Sequence, residues 1–181
     1  MSNWQTIFEN APTRALSKGA TLFRREDPVR AMFLVLDGEV ALERPMTDGT
    51  ALTLHVATKG TAVAEASLFA EAYHCDAIAR HPTTVAVLPR DTALKAFRTA
   101  PDAALGLLAV LARDIQSQRA RIEILRLRRV ADRLDAWLDL NGVPAKGDWV
   151  RVAEAIGVSQ PALYRELAKR RKTAGTTSPL R

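Results

Sequence analysis

The one thiol of this 181-residue chain lies in Tyr73-His74-Cys75-Asp76, beside one of its three histidines. A thiolate is a nucleophile, an oxidisable group and a soft-metal ligand, and an adjacent imidazolium lowers the pKa that governs all three roles. Asp76 works in the opposite sense, because a neighbouring carboxylate holds the thiol protonated. If the stretch is a strand, His74 and Cys75 point to opposite faces. Sharing a thiophilic metal ion would then require a bulge or a second subunit. A lone cysteine among apolar residues is also an ordinary small core residue, and the local residues leave both readings open. His55 and His81 stand singly and read as satisfied or exposed histidines, and no HxH pair of a metal-binding cupin occurs. One cysteine falls short of the roughly four that an iron–sulfur cluster takes. It equally excludes an intrachain disulfide framework, which suits a reducing cytoplasm.

A different chemistry is concentrated in the last third. Residues 1–112 carry 11 Lys and Arg against 12 Asp and Glu, whereas residues 113–181 carry 15 against 8, so the net charge of +6 is −1 plus +7. This asymmetry points to a polyanionic partner for the C-terminal part. The stretch Asp148 to Lys172 has helix-turn-helix grammar. Asp148 caps a first helix with Val152, Ala155 and Ile156 inward, Gly157 makes the tight turn, Val158 is buried and Ser159 caps a second helix. Pro161 falls in the first turn of that second helix, where N–H groups have no intrahelical acceptor. Leu163 and Leu167 face the core. Ser159, Gln160, Ala162, Arg165 and Lys169 are left outward as candidate DNA-binding residues, with Arg170, Arg171 and Lys172 behind them. Such a helix fits the major groove, where Arg or Gln reads base edges and basic residues meet phosphates.

The element that must position these readers is the stretch Pro101 to Arg129. Leu108, Ile115 and Ile122 recur every seven residues, and Ala104, Leu111, Gln118 and Leu125 do so half a turn away, which is a heptad seam. The other faces carry Arg113, Asp114, Arg119, Arg121, Glu123, Arg126 and Arg128. At ~1.5 Å per residue the helix is ~40 Å long, too long to be covered by one small domain of its own chain. The spacing therefore predicts a homodimer interface through Leu108, Leu111, Ile115, Gln118, Ile122 and Leu125. Leu105, Leu107, Ala109 and Val110 widen the apolar surface in the first half, as in a core helix. Beyond a break near Arg128-Arg129, Leu134, Trp137 and Leu138 carry a helical stripe to the stop at Asn141-Gly142.

Residues 18–90 show no sustained helical period. Short alternating runs flank Asp37-Gly38 and Asp48-Gly49, both hairpin signals because the turn needs positive φ. Strands are expected at Met32 to Leu36, Glu39 to Leu42, Ala51 to Val56, Cys75 to Ala79 and Thr84 to Leu88. Residues Ala62 to Glu71 interrupt them as a short helical insertion, Asn3 to Asn10 read as a short first helix, and Asp91 reads as the cap of another. The fold class is α+β, an N-terminal double-stranded β-helix or jelly-roll-like β-roll followed by helices. The apolar run Ala103 to Ala112 is the longest, so no membrane span or signal peptide is expected. The tail from Thr173 reads as disordered.

This order of elements resembles the CRP/FNR superfamily of bacterial transcription regulators over nearly the whole chain. Lys18-Gly19-Ala20-Thr21-Leu22-Phe23, Phe33 to Val40, Glu65-Ala66-Ser67-Leu68-Phe69, Ile156-Gly157-Val158-Ser159 and Arg165 carry the resemblance. It implies a sensor roll at 1–100, a dimerisation helix at 101–128 and a helix-turn-helix domain at 129–181. It further implies a cytoplasmic homodimer that binds double-stranded DNA, contacts RNA polymerase and is not an enzyme. Three departures stand out. Where cyclic-nucleotide-binding members place an Arg-Ser or Arg-Thr step against the cyclic phosphate, this chain keeps Glu65 but reads Cys75-Asp76. A carboxylate facing a phosphate repels it, which argues against cAMP. The second helix reads Ser-Gln-Pro-Ala-Leu-Tyr-Arg, so only Arg165 of the usual base readers survives. Nine residues after Lys172 are too few for a full wing, so the wing is reduced or missing. The resemblance places the only thiol where the ligand arginine would be. Cys75, with His74 and Glu65 as sensor neighbours, is therefore the expected sensing residue, through oxidation or through a thiophilic metal ion held by Cys75 and His74. A cupin-like metal-dependent enzyme with a basic tail is the first rival, and a constitutive DNA-binding protein with a purely structural roll is the second.

Overall fold

The computed structural model describes residues 4–47 and 49–176, with side chains to residue 172. The chain divides into two compact units, 1–109 and 110–181. In the first, a 3₁₀ turn at Trp4–Phe8 precedes β1 (Thr13–Leu16), β2 (Thr21–Phe23), β3 (Ala31–Asp37), β4 (Glu39–Pro45), β5 (Ala51–Thr58), β6 (Ala62–Val63), β7 (Asp76–Ala79) and β8 (Thr83–Pro89). They form two four-stranded antiparallel sheets, ordered β1-β8-β3-β6 and β2-β7-β4-β5. Their inner faces bury small and branched residues such as Val35, Val40, Val63, Ala77 and Val85. Phe23 stacks on Tyr73 with ring centroids 3.8 Å apart and on Phe33 at 5.8 Å. The Tyr73 hydroxyl is satisfied inside this core, donating to the Ala31 carbonyl at 3.0 Å, as a buried phenol requires.

The two Asp-Gly signals have different outcomes. Gly49 (φ 82°) lies in the turn between β4 and β5, which pair in register from Glu39↔Thr58 to Pro45↔Ala51; Asp48 itself lies outside the described residues. Asp37-Gly38 is not a hairpin, because β3 and β4 belong to different sheets. It is a corner where the chain crosses between sheets, and Gly38 takes φ 83° against the backbone of Pro82 and Thr83. Positive φ was legible there, but the pairing partner was not. The insertion at Ala62 to Glu71 contains β6 and one 3₁₀ turn, Glu65–Ser67, entered through Ala64 in the left-handed region at φ 71°. The first helix shortens to its 3₁₀ turn, and Asn3 lies outside the described residues.

Five helices follow: α1 (Arg90–Thr99), α2 (Pro101–Arg126), α3 (Val130–Asn141), α4 (Trp149–Ala155) and α5 (Gln160–Thr176). Asp91 is inside α1 and makes no capping bond; the cap position is Pro89. Asp91 acts only as a first-turn anion near the positive helix end. In the first half of α2 the buried residues are Ala103 and Leu107, whereas Leu105 and Ala109 are exposed. In the second unit Ile124, Leu134, Val152, Ala153, Ile156 and Leu163 form the core, and Trp137, Leu138, Val158 and Leu167 pack on it half-buried. The tail expected to be disordered from Thr173 continues α5 through Thr176, and residues 177–181 lie outside the described residues. No helix among the described residues is long and apolar enough to cross a membrane.

An added Cβ at Gly38 would stand 2.5 Å from the Pro82 carbonyl oxygen, whereas one at Gly49 would meet nothing within 4 Å. Gly49→Ala should therefore show only left-handed strain, about 1–2 kcal/mol. Gly38→Ala adds a backbone collision and should lose about 3 kcal/mol or more. Urea denaturation of the two variants compares them directly.

Candidate nucleic-acid interface

The outward face expected for DNA belongs to α5. The chain leaves α4 through Gly157, whose φ of 65° is easy only for glycine. The Gly157 and Val158 N–H groups donate to the carbonyls of Glu154 (3.3 Å) and Ala153 (3.0 Å), closing the turn. Ser159 then caps α5, its Oγ accepting the Ala162 N–H at 3.4 Å. Asp148 occupies the equivalent place before α4 but makes no side-chain capping bond. Leu163 is fully buried and Leu167 half-buried, so the opposite side of α5 is free. Ser159, Gln160, Arg165 and Lys169 are exposed there, and Ala162 is half-buried. The Arg165 guanidinium rests on its own helix, donating to the Pro161 carbonyl at 3.3 Å.

Two arginines in this unit have roles that their charge does not reveal. Arg170 is committed within the fold: it ion-pairs with Asp135 and Glu166 and donates to the Ala131 carbonyl at 3.0 Å. Arg133 donates to the carbonyls of Leu125 (3.1 Å), Leu127 (2.7 Å), Ile156 (3.1 Å) and Gly157 (3.2 Å). It thereby ties the end of α2 to the turn between α4 and α5. Tyr164, 46% exposed on α5, is a further candidate contact that the sequence reading passed over. Only the position of Leu163 against the core shows that its neighbour points out.

The seam residues of α2 are exposed to a degree unusual for large aliphatic side chains. Leu108 is 60%, Ile115 52% and Ile122 51% accessible, Leu125 and Gln118 are exposed, and Leu111 is half-buried.

At the start of β7 the expected sensor residues are brought close in sequence but not in function. Cys75 is 1% exposed, while His74 is exposed and its Nδ1 lies 3.0 Å from the Ser67 hydroxyl. Among the described residues no three His, Cys, Asp or Glu side chains group as metal ligands. Burial pushes the Cys75 thiol above its ordinary pKa, with Asp76 and Glu65 adding to the rise and Arg44 opposing it. These are the surroundings of a packed thiol, largely protonated near neutral pH. Glu65 is half-buried at the head of its 3₁₀ turn. Asp76 accepts the Arg25 N–H at 2.7 Å and is committed to that loop. A cleft of about 420 Å³ opens beside these residues, lined by Arg25, Glu26, Arg44, Tyr73 and His74. Arg25 is ion-paired with Glu26 at 3.1 Å, whereas Arg44 makes no ion pair among the described residues. Arg44 could have been found from alternation: Val40, Leu42 and Arg44 share one face of β4, and β4 pairs with β7 up to Glu43↔Asp76.

With this geometry established, the comparisons with known proteins can be placed. Residues 13–100 match the family described as the cyclic nucleotide-binding domain. No curated protein matches the sequence. Among solved structures, the sensor domain of the transcriptional regulator DNR from Pseudomonas aeruginosa is 25% identical, with 70% of this chain and 82% of that chain covered and a TM-score of 0.53. The c-di-GMP responsive global regulator CLP from Xanthomonas campestris is 21% identical over 94% of this chain and 91% of that chain, with a TM-score of 0.64. FixK2 from Bradyrhizobium japonicum is 16% identical over 91% and 86%, with a TM-score of 0.66. The fold of this chain, antiparallel β-roll sheets followed by five helices, is thus that of CRP/FNR-type regulators.

The raised thiol pKa sets a pH dependence. A raised pKa means less thiolate at any pH below it, so iodoacetamide should alkylate native Cys75 at least about tenfold more slowly at pH 8 than the urea-unfolded chain. The native rate should still be rising past the ordinary cysteine value of 9.0. A native rate equal to the unfolded one would show an accessible, activated thiol.

Proposed function

We propose that the chain is a homodimeric DNA-binding transcription regulator of the CRP/FNR type that reads a palindromic operator under the control of a signal other than cAMP. The observation that carries this is the outward polar face of α5, with Ser159, Gln160, Arg165 and Lys169 exposed at and along a helix whose other side is anchored by Leu163. α4, the Gly157 turn and α5 read as a helix-turn-helix, with α5 as recognition helix. The net +7 of residues 113–181 supplies the phosphate-seeking charge. The solved regulators of the same fold support the class, and with it a cytoplasmic setting and contact with RNA polymerase.

The dimer reading rests on the α2 seam, where a second copy would cover Leu108, Ile115, Ile122 and Leu125. The reading against cAMP rests on residues 75 and 76, a buried thiol and a carboxylate where a phosphate would need a guanidinium. The signal is then read in the roll by other groups, with Arg44 the charge beside that place that has no ion pair among the described residues. No observation favours the cupin-like enzyme over this reading.

Two outcomes are expected. Ile115→Glu would bury like charges against each other in the seam, at several kcal/mol, and sedimentation should show monomer. Two recognition helices in a dimer should protect half-sites ~34 Å apart in a footprint. Arg165→Ala should lose ~1–3 kcal/mol on the specific site if the side chain reads a guanine. An equal loss on random DNA would make Arg165 a phosphate contact, and an intact Ile115→Glu dimer would place the interface elsewhere.

A further inference from the structure

The second unit holds a cleft that neither the DNA-reading face nor the dimer seam uses. It has a volume of about 490 Å³ and lies between α2, α3 and the end of α4. Ile124, Trp137 and Leu140 give it apolar walls, and Arg113 and Arg121 line it from α2. Its volume falls within the range of small-molecule sites, and its make-up is the usual one, apolar walls with a few polar groups. Position on the helix keeps it accessible. Ile124 follows the seam residue Ile115 by nine positions, ~180° around the helix, so the cleft lies on the side of α2 away from the seam. A second copy seated on the seam would leave it open.

Charge decides what kind of ligand fits. Arg113 and Arg121 both line the cleft and no Asp or Glu does. Arg113 makes no ion pair or hydrogen bond among the described residues, and Arg121 makes only one long bond, 3.4 Å to the Glu154 carbonyl. Two guanidiniums without a carboxylate form a site for an anion, which each can grip through paired N–H donors. The apolar side is equally unfilled. Leu140 is 61% exposed although it belongs to a helix whose Leu134 is fully buried, and the Trp137 ring offers an extended apolar surface beside it.

We propose that this cleft binds a small organic anion with a flat or branched apolar body. Its carboxylate, sulfonate or phosphate lies on Arg113 and Arg121, and its body lies against Trp137, Ile124 and Leu140. The site stands whether or not the chain reads DNA.

The test uses the full chain and isothermal titration calorimetry with 2-naphthoate and 4-tert-butylbenzoate as anionic probes and 2-naphthamide as the neutral control. Saturable binding of at least one anion is expected, and 2-naphthamide should bind about tenfold more weakly than 2-naphthoate or worse, the fold-change for a lost charged hydrogen bond. The Arg113→Gln/Arg121→Gln variant, changed only at exposed positions, should bind 2-naphthoate no better than the amide. Leu140→Gln, also exposed, should weaken all three probes together. In NMR spectra the Trp137 indole N–H should shift on titration while that of Trp4, in the other unit, does not. The proposal is overturned if neither anion binds saturably, if naphthoate and naphthamide bind alike, or if the double arginine variant binds as the parent does.

Discussion

One guanidinium holds the second unit together. The last carbonyls of α2 have no intrahelical donor, and neither do those of the turn that follows α4. Arg133 serves both, donating to Leu125 and Leu127 on one side and to Ile156 and Gly157 on the other. Close packing adds a second constraint at the same point, since a Cβ on Gly157 would lie 2.6 Å from a Leu125 methyl. Glycine at 157 is thus required by its left-handed φ, whereas the Leu125 methyl ends a flexible side chain that could shift. The consequence is functional. The proposed recognition helix, α5, begins three residues beyond Gly157, so its direction relative to the second half of α2 follows from these bonds.

The roll meets a different demand. It must close two sheets over an interior narrow enough for Val, Ala and one aromatic stack, and it does so by placing Phe23, Phe33 and Tyr73 together. Tyr73 also holds the strand before β7 in place through its bonds to the backbone at Ala31. Cys75 follows two residues later on the inner side, which is why it is a packed thiol. Asp76 turns to the Arg25 N–H. The expected sensing thiol is thus packed, and Arg44, beside it, comes from the neighbouring strand.

Helix α2 is required to do two things with opposite faces. One carries Ile115 and Ile122 uncovered; the other carries Ile124 into the core of the second unit and, beside it, two arginines into a cleft. An isolated helix with large aliphatic side chains half exposed on one side loses the stabilisation that burial supplies, about 25 cal/mol per Å². In the proposed dimer a second copy would recover it, with Gln118 helping to fix the register.

What could be known from the sequence is what depends on local geometry. The heptad spacing of Leu108, Ile115 and Ile122, the stop at Asn141-Gly142, the turn at Gly157 and the cap at Ser159 all follow from periods and conformations fixed within a few residues. The overall order of roll and helices was legible for the same reason, since alternation and the helical period differ. Long-range choices were not. Asp37-Gly38 is a sheet-to-sheet corner instead of a hairpin because its partners, Pro82 and Thr83, are more than forty residues away in the chain. Arg133 and Arg170 looked like surface charge, and only folding brings the carbonyls and carboxylates that engage them. Cys75 looked reactive because sequence places His74 beside it; in the fold the thiol is buried while the exposed imidazole meets the Ser67 hydroxyl. Arg113 and Arg121 read as the solvated side of a dimer helix, and the cleft they line exists only once α3 and α4 fold against it.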